Sequence, residues 1–139
     1  MSITQTMCTS AKAEFLGGII DVVNDTLKIA LYTSDATLND TTTIYSSVNE
    51  VVGSGYISGG NTLTSTTIGT SGTTAFVSFA NTTWSASTII ASGALIYDSS
   101  KANRAIAVLS FGSNKSSNNS NFVIQFPPNN ATSAVVRIS

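Results

Sequence analysis

Polar and apolar residues alternate with a period of two along much of this chain. In TLKIALY, Leu27, Ile29 and Leu31 fall on one side and Lys28, Ala30 and Tyr32 on the other, the pattern of a half-buried strand over Thr26 to Thr33. Six more stretches, NTLTSTTIG, TTAFVSFAN, STIIASGALIYD, NRAIAVLSFG, NFVIQFPP and SAVVRIS, are rich in β-branched and aromatic residues and separated by Gly, Asn, Ser or Pro, which predicts six further strands. In AFVSF, Val77 and Phe79 share a face and Phe76 takes the other. In FVIQF, Phe122, Ile124 and Phe126 lie together. Pro127 and Pro128 lack backbone donors and end the strand before them.

Helical spacing occurs only near the start, from Ser10 to Ile20, where Ala11, Phe15 and Ile19 recur behind a Thr9/Ser10 cap and Gly17 and Gly18 weaken the end. Many short strands with almost no helix between them pair antiparallel and close into two layers. The expectation is an all-β fold, an antiparallel β-sandwich of jelly-roll or immunoglobulin-like type with one short N-terminal helix. Residues 1–10, apolar at Ile3 and Met7 but without a core of their own, are expected to form an arm that reaches a neighbouring molecule. Residues 11–139 then make a single sandwich domain, with no fixed-period repeat to divide it. Two segments read as surface loops: Thr33 to Glu50, touching the core at Leu38, Ile44, Tyr45 and Val48, and Ser113 to Asn121, polar throughout and the most mobile in character.

Composition sharpens this picture. Of 139 residues 42% are apolar but only 9% are charged, about a third of the charged share of an ordinary soluble domain. The polar surface must be built from Ser, Thr and Asn, which repel one another little and guard weakly against self-association. Such a surface suits a protein held in an assembly. Six cations are scattered along a chain of net charge −1, without the clustered positive charge that nucleic-acid binding relies on. The first residues form no secretory signal, and no apolar run approaches the ~20 residues that span a bilayer. Synthesis in a cytoplasm, with no membrane or nucleic-acid partner, is the resulting expectation.

Candidate chemistry is sparse. There is no histidine, so a Ser-His-Asp triad and histidine-ligated zinc have no basis. Ser-x-x-Lys is missing, the adjacency Ser99-Ser100-Lys101 sits in a turn-like DSSKANR, and Cys8 reads as a small buried hydrophobe. The two glutamates, Glu14 and Glu50, and five aspartates would serve a glycosidase only if two of them faced each other across a cleft. Gly55 to Thr62 has the spacing of a phosphate-binding loop, but Asn61 stands in the lysine position and no helix follows. Gly53, Gly55, Gly59 and Gly60 therefore read as a tight reversal holding Tyr56 against the core. Trp84 and Tyr97 admit a sugar-stacking role, against core packing as the commoner use of such rings. No catalytic, metal or cofactor site is expected.

Five stretches in order, DTLKIALYTSDATL, EVVGSGYISGGNTL, TTWSASTIIASGALIYD, AIAVLSFG and FVIQFP, resemble small proteins encoded among the structural genes of tailed bacteriophages. The resemblance runs from near Gly18 to Arg137. It implies a virion component without enzymatic activity: a head decoration or cement protein on the major capsid protein lattice, or a tail, collar or fibre-base protein. A carbohydrate-binding module is the reading from another class. The shared Tyr32, Gly55, Tyr56, Gly59, Gly60, Trp84 and Tyr97 would be the signature of the fold. Closed symmetry favours a homo-oligomer, with a trimer expected, and Ile3, Met7, Trp84 and Tyr97 are the candidate partner contacts.

Overall fold

A computed structural model describes residues 2–127 and 136–138. The elements in chain order are β1 (Thr6–Met7), α1 (Thr9–Leu16), β2 (Leu27–Tyr32), β3 (Asn61–Thr62), β4 (Thr67–Ser71), β5 (Thr74–Ser78), β6 (Thr82–Asp98), β7 (Arg104–Ile124) and β8 (Val136–Ile138). They form two antiparallel sheets, ordered β1-β7-β6-β2-β3 and β4-β5-β8. The fold is all-β and sandwich-like with one short helix. Among the described residues no helix is long and apolar enough to cross a membrane.

The centre of the larger sheet is buried on both faces. Leu95, Ile96 and Tyr97 of β6, Ala105 to Val108 of β7, and Ile29 to Tyr32 of β2 all lie in the core. The period-two pattern of β2 is thus only half the account. Its second face, carrying Ala30 and Tyr32, is covered as well, because later segments of the chain are laid across it. On β7 the cover is α1, whose Ala11 is buried, with Cys8 preceding it and donating its backbone N–H to the Ile106 carbonyl at 2.9 Å. Cys8 itself is buried; that burial, with Asp40 and Glu14 nearby, pushes its thiol up to about 11.

The segment read as an arm belongs instead to its own domain. Thr6 and Met7 pair with Val108 and Ala107 of β7, and Ser2 and Thr4 exchange backbone bonds of 3.0 and 2.9 Å with Leu38. Ile3 and Met7 pack half-buried on the core. The physical reason is local: β7 has an open edge at residues 107–108, and its backbone groups need partners that the nearby N-terminal strand supplies.

The boundaries show the other departures. NTLTSTTIG is split between the two sheets, β3 in the larger and β4 in the smaller, with Ser65 at φ +54° in the crossing. NRAIAVLSFG and the start of NFVIQFPP are one strand, β7, and the Ser113 to Asn121 segment expected to be a mobile loop runs through its middle. Pairing with β6 overrides the low strand propensity of Ser and Asn there. The buried Ser87 helps: its Oγ lies 2.9 Å from the Trp84 carbonyl, 3.0 Å from the Ser120 carbonyl and 2.9 Å from the Ser117 Oγ. Ser87→Ala should lower unfolding stability by about 1–2 kcal/mol, as expected for groups left unsatisfied in a buried network; urea denaturation would measure it. As read from the sequence, Val77 and Phe79 join the common core, while Phe76 lies across Gly69, where an added Cβ would come within 2.6 Å of the ring. The strand before Pro127 ends at Ile124; Pro128 lies outside the described residues.

Candidate interaction surface

The glycine-rich reversal is built around a carboxylate of its own chain. Glu50 is only 6% exposed, and its two oxygens take four hydrogen bonds. Oε1 accepts from the hydroxyls of Tyr45 at 2.7 Å and Ser58 at 2.9 Å. Oε2 accepts from the Tyr56 hydroxyl and from the Gly59 N–H at 2.8 Å. The Tyr56 hydroxyl in turn accepts the Leu31 N–H at 2.9 Å. A cradle of hydroxyls and a backbone N–H is what binds an anion, and here Glu50 fills it. This explains why a loop with near phosphate-loop spacing has no place for a phosphate.

Each glycine of the reversal has a geometric reason. Gly55, Gly59 and Gly60 take φ of +83°, +100° and +79°. At Gly60 an added Cβ would sit 1.8 Å from the Ile29 carbonyl oxygen, and at Gly53 one would sit 2.3 Å from that of Thr88. The chain presses onto β2 and β6 at these points, and only glycine permits it. Tyr56 is buried against Trp84, ring centroids 5.9 Å apart.

Four tyrosines line this region. Tyr97 stacks on Tyr45 with centroids 4.6 Å apart and donates to the Gly59 carbonyl at 2.7 Å. Tyr32 donates to the Ser46 carbonyl at 2.6 Å. Burial first, then the hydrogen bond to the Glu50 carboxylate, pushes the Tyr56 hydroxyl far above its ordinary range. Burial and the charge of Glu50 do the same to Tyr32, and burial with Tyr45 and Glu50 nearby lifts Tyr97 to about 12. These hydroxyls therefore remain hydrogen-bond donors at ordinary pH.

The outside of the same segment is bare. Residues 44–57 contain one charged side chain, Glu50, and it is turned inward. Val48, Val52 and Ile57 point outward, 70%, 97% and 79% exposed, and Ile44 is exposed beside them. Of the expected loop anchors, then, Leu38 and Tyr45 pack on the core, whereas Ile44 and Val48 do not. Beside the segment opens a cleft of about 340 Å³ lined by Tyr32, Ala36, Leu38, Ile44 and Val48 among others. The result is an uncharged aliphatic surface on a segment pinned from beneath, so little ordering remains to oppose docking.

Trp84 and Tyr97 are not part of any such surface. Both are buried; Trp84 lies between Tyr56 and the edge of Phe122, 6.1 Å away, and offers no open face for a sugar or a partner. They are pulled inward because large rings contribute most when fully covered. The pattern along the chain does not single out Glu50, which enters only as one member of a facing carboxylate pair. The available signal was a lone carboxylate set among Val51, Val52 and Tyr56 with no cation beside it.

A second polar cluster joins Asp25, Asp98 and the Ser99-Ser100-Lys101 turn. Asp98, with no exposed surface, accepts the Ser100 N–H at 3.0 Å through Oδ1, while its Oδ2 finds no donor among the described residues and the Asp25 carboxyl lies close by. Burial first, then the neighbouring Asp25 carboxyl, pushes Asp98 up to about 7, and the interaction with Asp98, together with Lys101, holds Asp25 down to about 2. Lys101 Nζ contacts both Asp25 oxygens at 3.0 Å and the Ile19 carbonyl at 2.7 Å. Ser99 Oγ donates to the Thr26 carbonyl at 2.9 Å, and Ser100 Oγ accepts the Thr26 N–H at 2.7 Å. The serine-lysine adjacency thus ties the connection before β2 to the turn between β6 and β7. No family model, curated protein or solved structure matches the chain.

Proposed function

We propose that this chain is a non-enzymatic structural protein of a tailed-phage virion, a decoration or cement protein that binds the major capsid protein lattice. The observation that carries the reading is the pinned, uncharged surface of residues 44–57, with Val48, Val52 and Ile57 uncovered. Exposed aliphatic side chains on a preordered segment gain most when another protein covers them. The resemblance of five ordered stretches to phage structural proteins supplies the context. A chain with few charges tolerates close neighbours of its own kind, which favours a homo-oligomer, a trimer at threefold lattice positions, made in the host cytoplasm and carried in the particle. Stable contacts of this kind bury about 1,200–2,000 Å² in total.

Adding the purified chain to decoration-free heads should raise their melting temperature, and an unchanged curve at saturation would reject cementing. A Val52→Asp/Ile57→Asp double variant should fold with an unchanged melting curve, because both side chains are exposed, yet bind heads at least about tenfold more weakly, since each buried aliphatic contributes ~1.5–3 kcal/mol. Copy number in purified particles distinguishes a lattice protein from a tail, collar or fibre-base component, which occurs in few copies.

A further inference from the structure

β7 departs from a plain strand beyond its contact with β1, where β6 is its neighbour. Between the pairs Ala91↔Lys115 and Gly93↔Ser110, residues 111–114 of β7 stand opposite Ser92 alone. Gly112 takes φ +79° within this bulge and Asn119 takes φ +49° further on. The bulges curl the strand, bringing the half-buried Phe111 ring to 6.4 Å from that of Phe122. Both rings line an open cavity of about 450 Å³ together with Lys115, Ser116, Asn121 and Gln125, a volume in the range of small-ligand sites.

The polar side chains lining this cavity, Lys115, Ser116, Asn121 and Gln125, are exposed. Among the described residues, the side chains of Lys115, Asn121 and Gln125 form no hydrogen bond or ion pair. Charge along the chain is also uneven: no Asp or Glu follows Asp98, whereas Lys101, Arg104, Lys115 and Arg137 do. Lys101 is neutralised by Asp25 and Arg104 by Glu14, whereas among the described residues Lys115 has no such partner and no acidic residue lines the cavity.

The geometry points to this cavity as a binding site for a carboxylated glycan. An aromatic ring offers an apolar face to the C–H side of a pyranose. The amides of Asn121 and Gln125 each carry donors and an acceptor, matching neighbouring sugar hydroxyls, and Lys115 supplies the cation for a carboxylate. An extended peptide is disfavoured, because a bulged, curled edge is a poor template for an added strand. The site is independent of the virion reading: heads that fail to bind the chain would leave the sugar measurements unchanged.

Calorimetric titration of the full chain with trigalacturonic acid, its methyl ester and 3′-sialyllactose tests this. Both carboxylated probes should bind with Kd of about 1 mM or tighter, and the ester should bind about tenfold more weakly than its acid, the loss of one charge-assisted contact. Lys115→Gln should abolish the difference between acid and ester. Phe111→Ala should remove binding of both. Because Phe111 also touches the core, the Asn121→Ala/Gln125→Ala double variant provides the second arm: its side chains have no partners to lose, so its melting curve should be unchanged while affinity drops about tenfold. Absence of binding by both carboxylated probes at millimolar concentration would overturn the assignment, as would binding that Lys115→Gln and the double variant leave intact.

Discussion

Glu50→Ala should be among the most damaging single substitutions in this protein, with a loss of about 3–5 kcal/mol in unfolding free energy, the range for removing one side of a buried, charge-assisted network. The Tyr45, Tyr56 and Ser58 hydroxyls and the Gly59 N–H would all lose their acceptor. Tyr56 and Gly59 are buried with it, so water replaces the carboxylate poorly. Glu50→Gln retains one acceptor oxygen but puts an amide donor against groups that are themselves donors, and should recover less than half of the loss. Denaturant unfolding with tyrosine fluorescence would give both values. If residues 44–57 meet the partner, Glu50→Gln should also weaken head binding at temperatures where the chain stays folded, because the aliphatic side chains would be presented on a looser segment. A Glu50→Ala protein as stable as the parent would show that the segment is held by its backbone contacts alone.

The second large effect is a dependence of stability on pH. Asp98 rises from an ordinary value of 3.8 to about 7 in the folded chain, so between those values the native state binds more protons than the unfolded one. Stability contributed by the protonated group is complete below about pH 4 and is lost as pH climbs through about 7. Asp25 works in the opposite sense: it falls from 3.8 to about 2, and its contribution is present above pH 3.8 and lost as pH drops through about 2. The pair together places the optimum on the mildly acidic side, near pH 4 to 5. Asp98→Asn imitates the protonated acid with a permanent donor toward Asp25. It should change little near that optimum but exceed the parent by about 2–4 kcal/mol at about pH 8, since each pH step between the unfolded and folded values is worth ~1.4 kcal/mol. Melting curves across pH would show the two proteins diverging as pH rises. Parallel curves would mean that Asp98 is ionised in the folded chain at neutral pH.

Both predictions concern carboxylates whose importance could not be seen along the chain. Asp98 closes ALIYD and Glu50 closes SSVNE, positions where an acid is ordinarily a turn cap. What makes them special is company from distant segments: Asp25 and Lys101 around the one, Tyr45, Tyr56 and Gly59 around the other. The same holds for Trp84 and Tyr97. Their aromatic character was plain, but whether a ring faces solvent or core depends on which segment is laid over it. Ile44 and Val48 err in the other direction, for apolar residues in a loop are read as anchors unless the loop is known to be pinned elsewhere.

Local order needed only the sequence: the strand of TLKIALY, a short helix near the start, though it begins after Cys8 without a side-chain cap and ends at Leu16 rather than Ile20, the glycine positions Gly53, Gly55, Gly59 and Gly60, and the all-β class. These follow from side-chain periodicity and from the backbone freedom of glycine, which act over a few residues. Tertiary structure decided that Ser113 to Asn121 is strand, that residues 2–10 dock on their own sheet, and that a carboxylate fills the glycine cradle. Those outcomes depend on hydrogen-bond partners and desolvation supplied by residues far along the chain, and no local pattern encodes them.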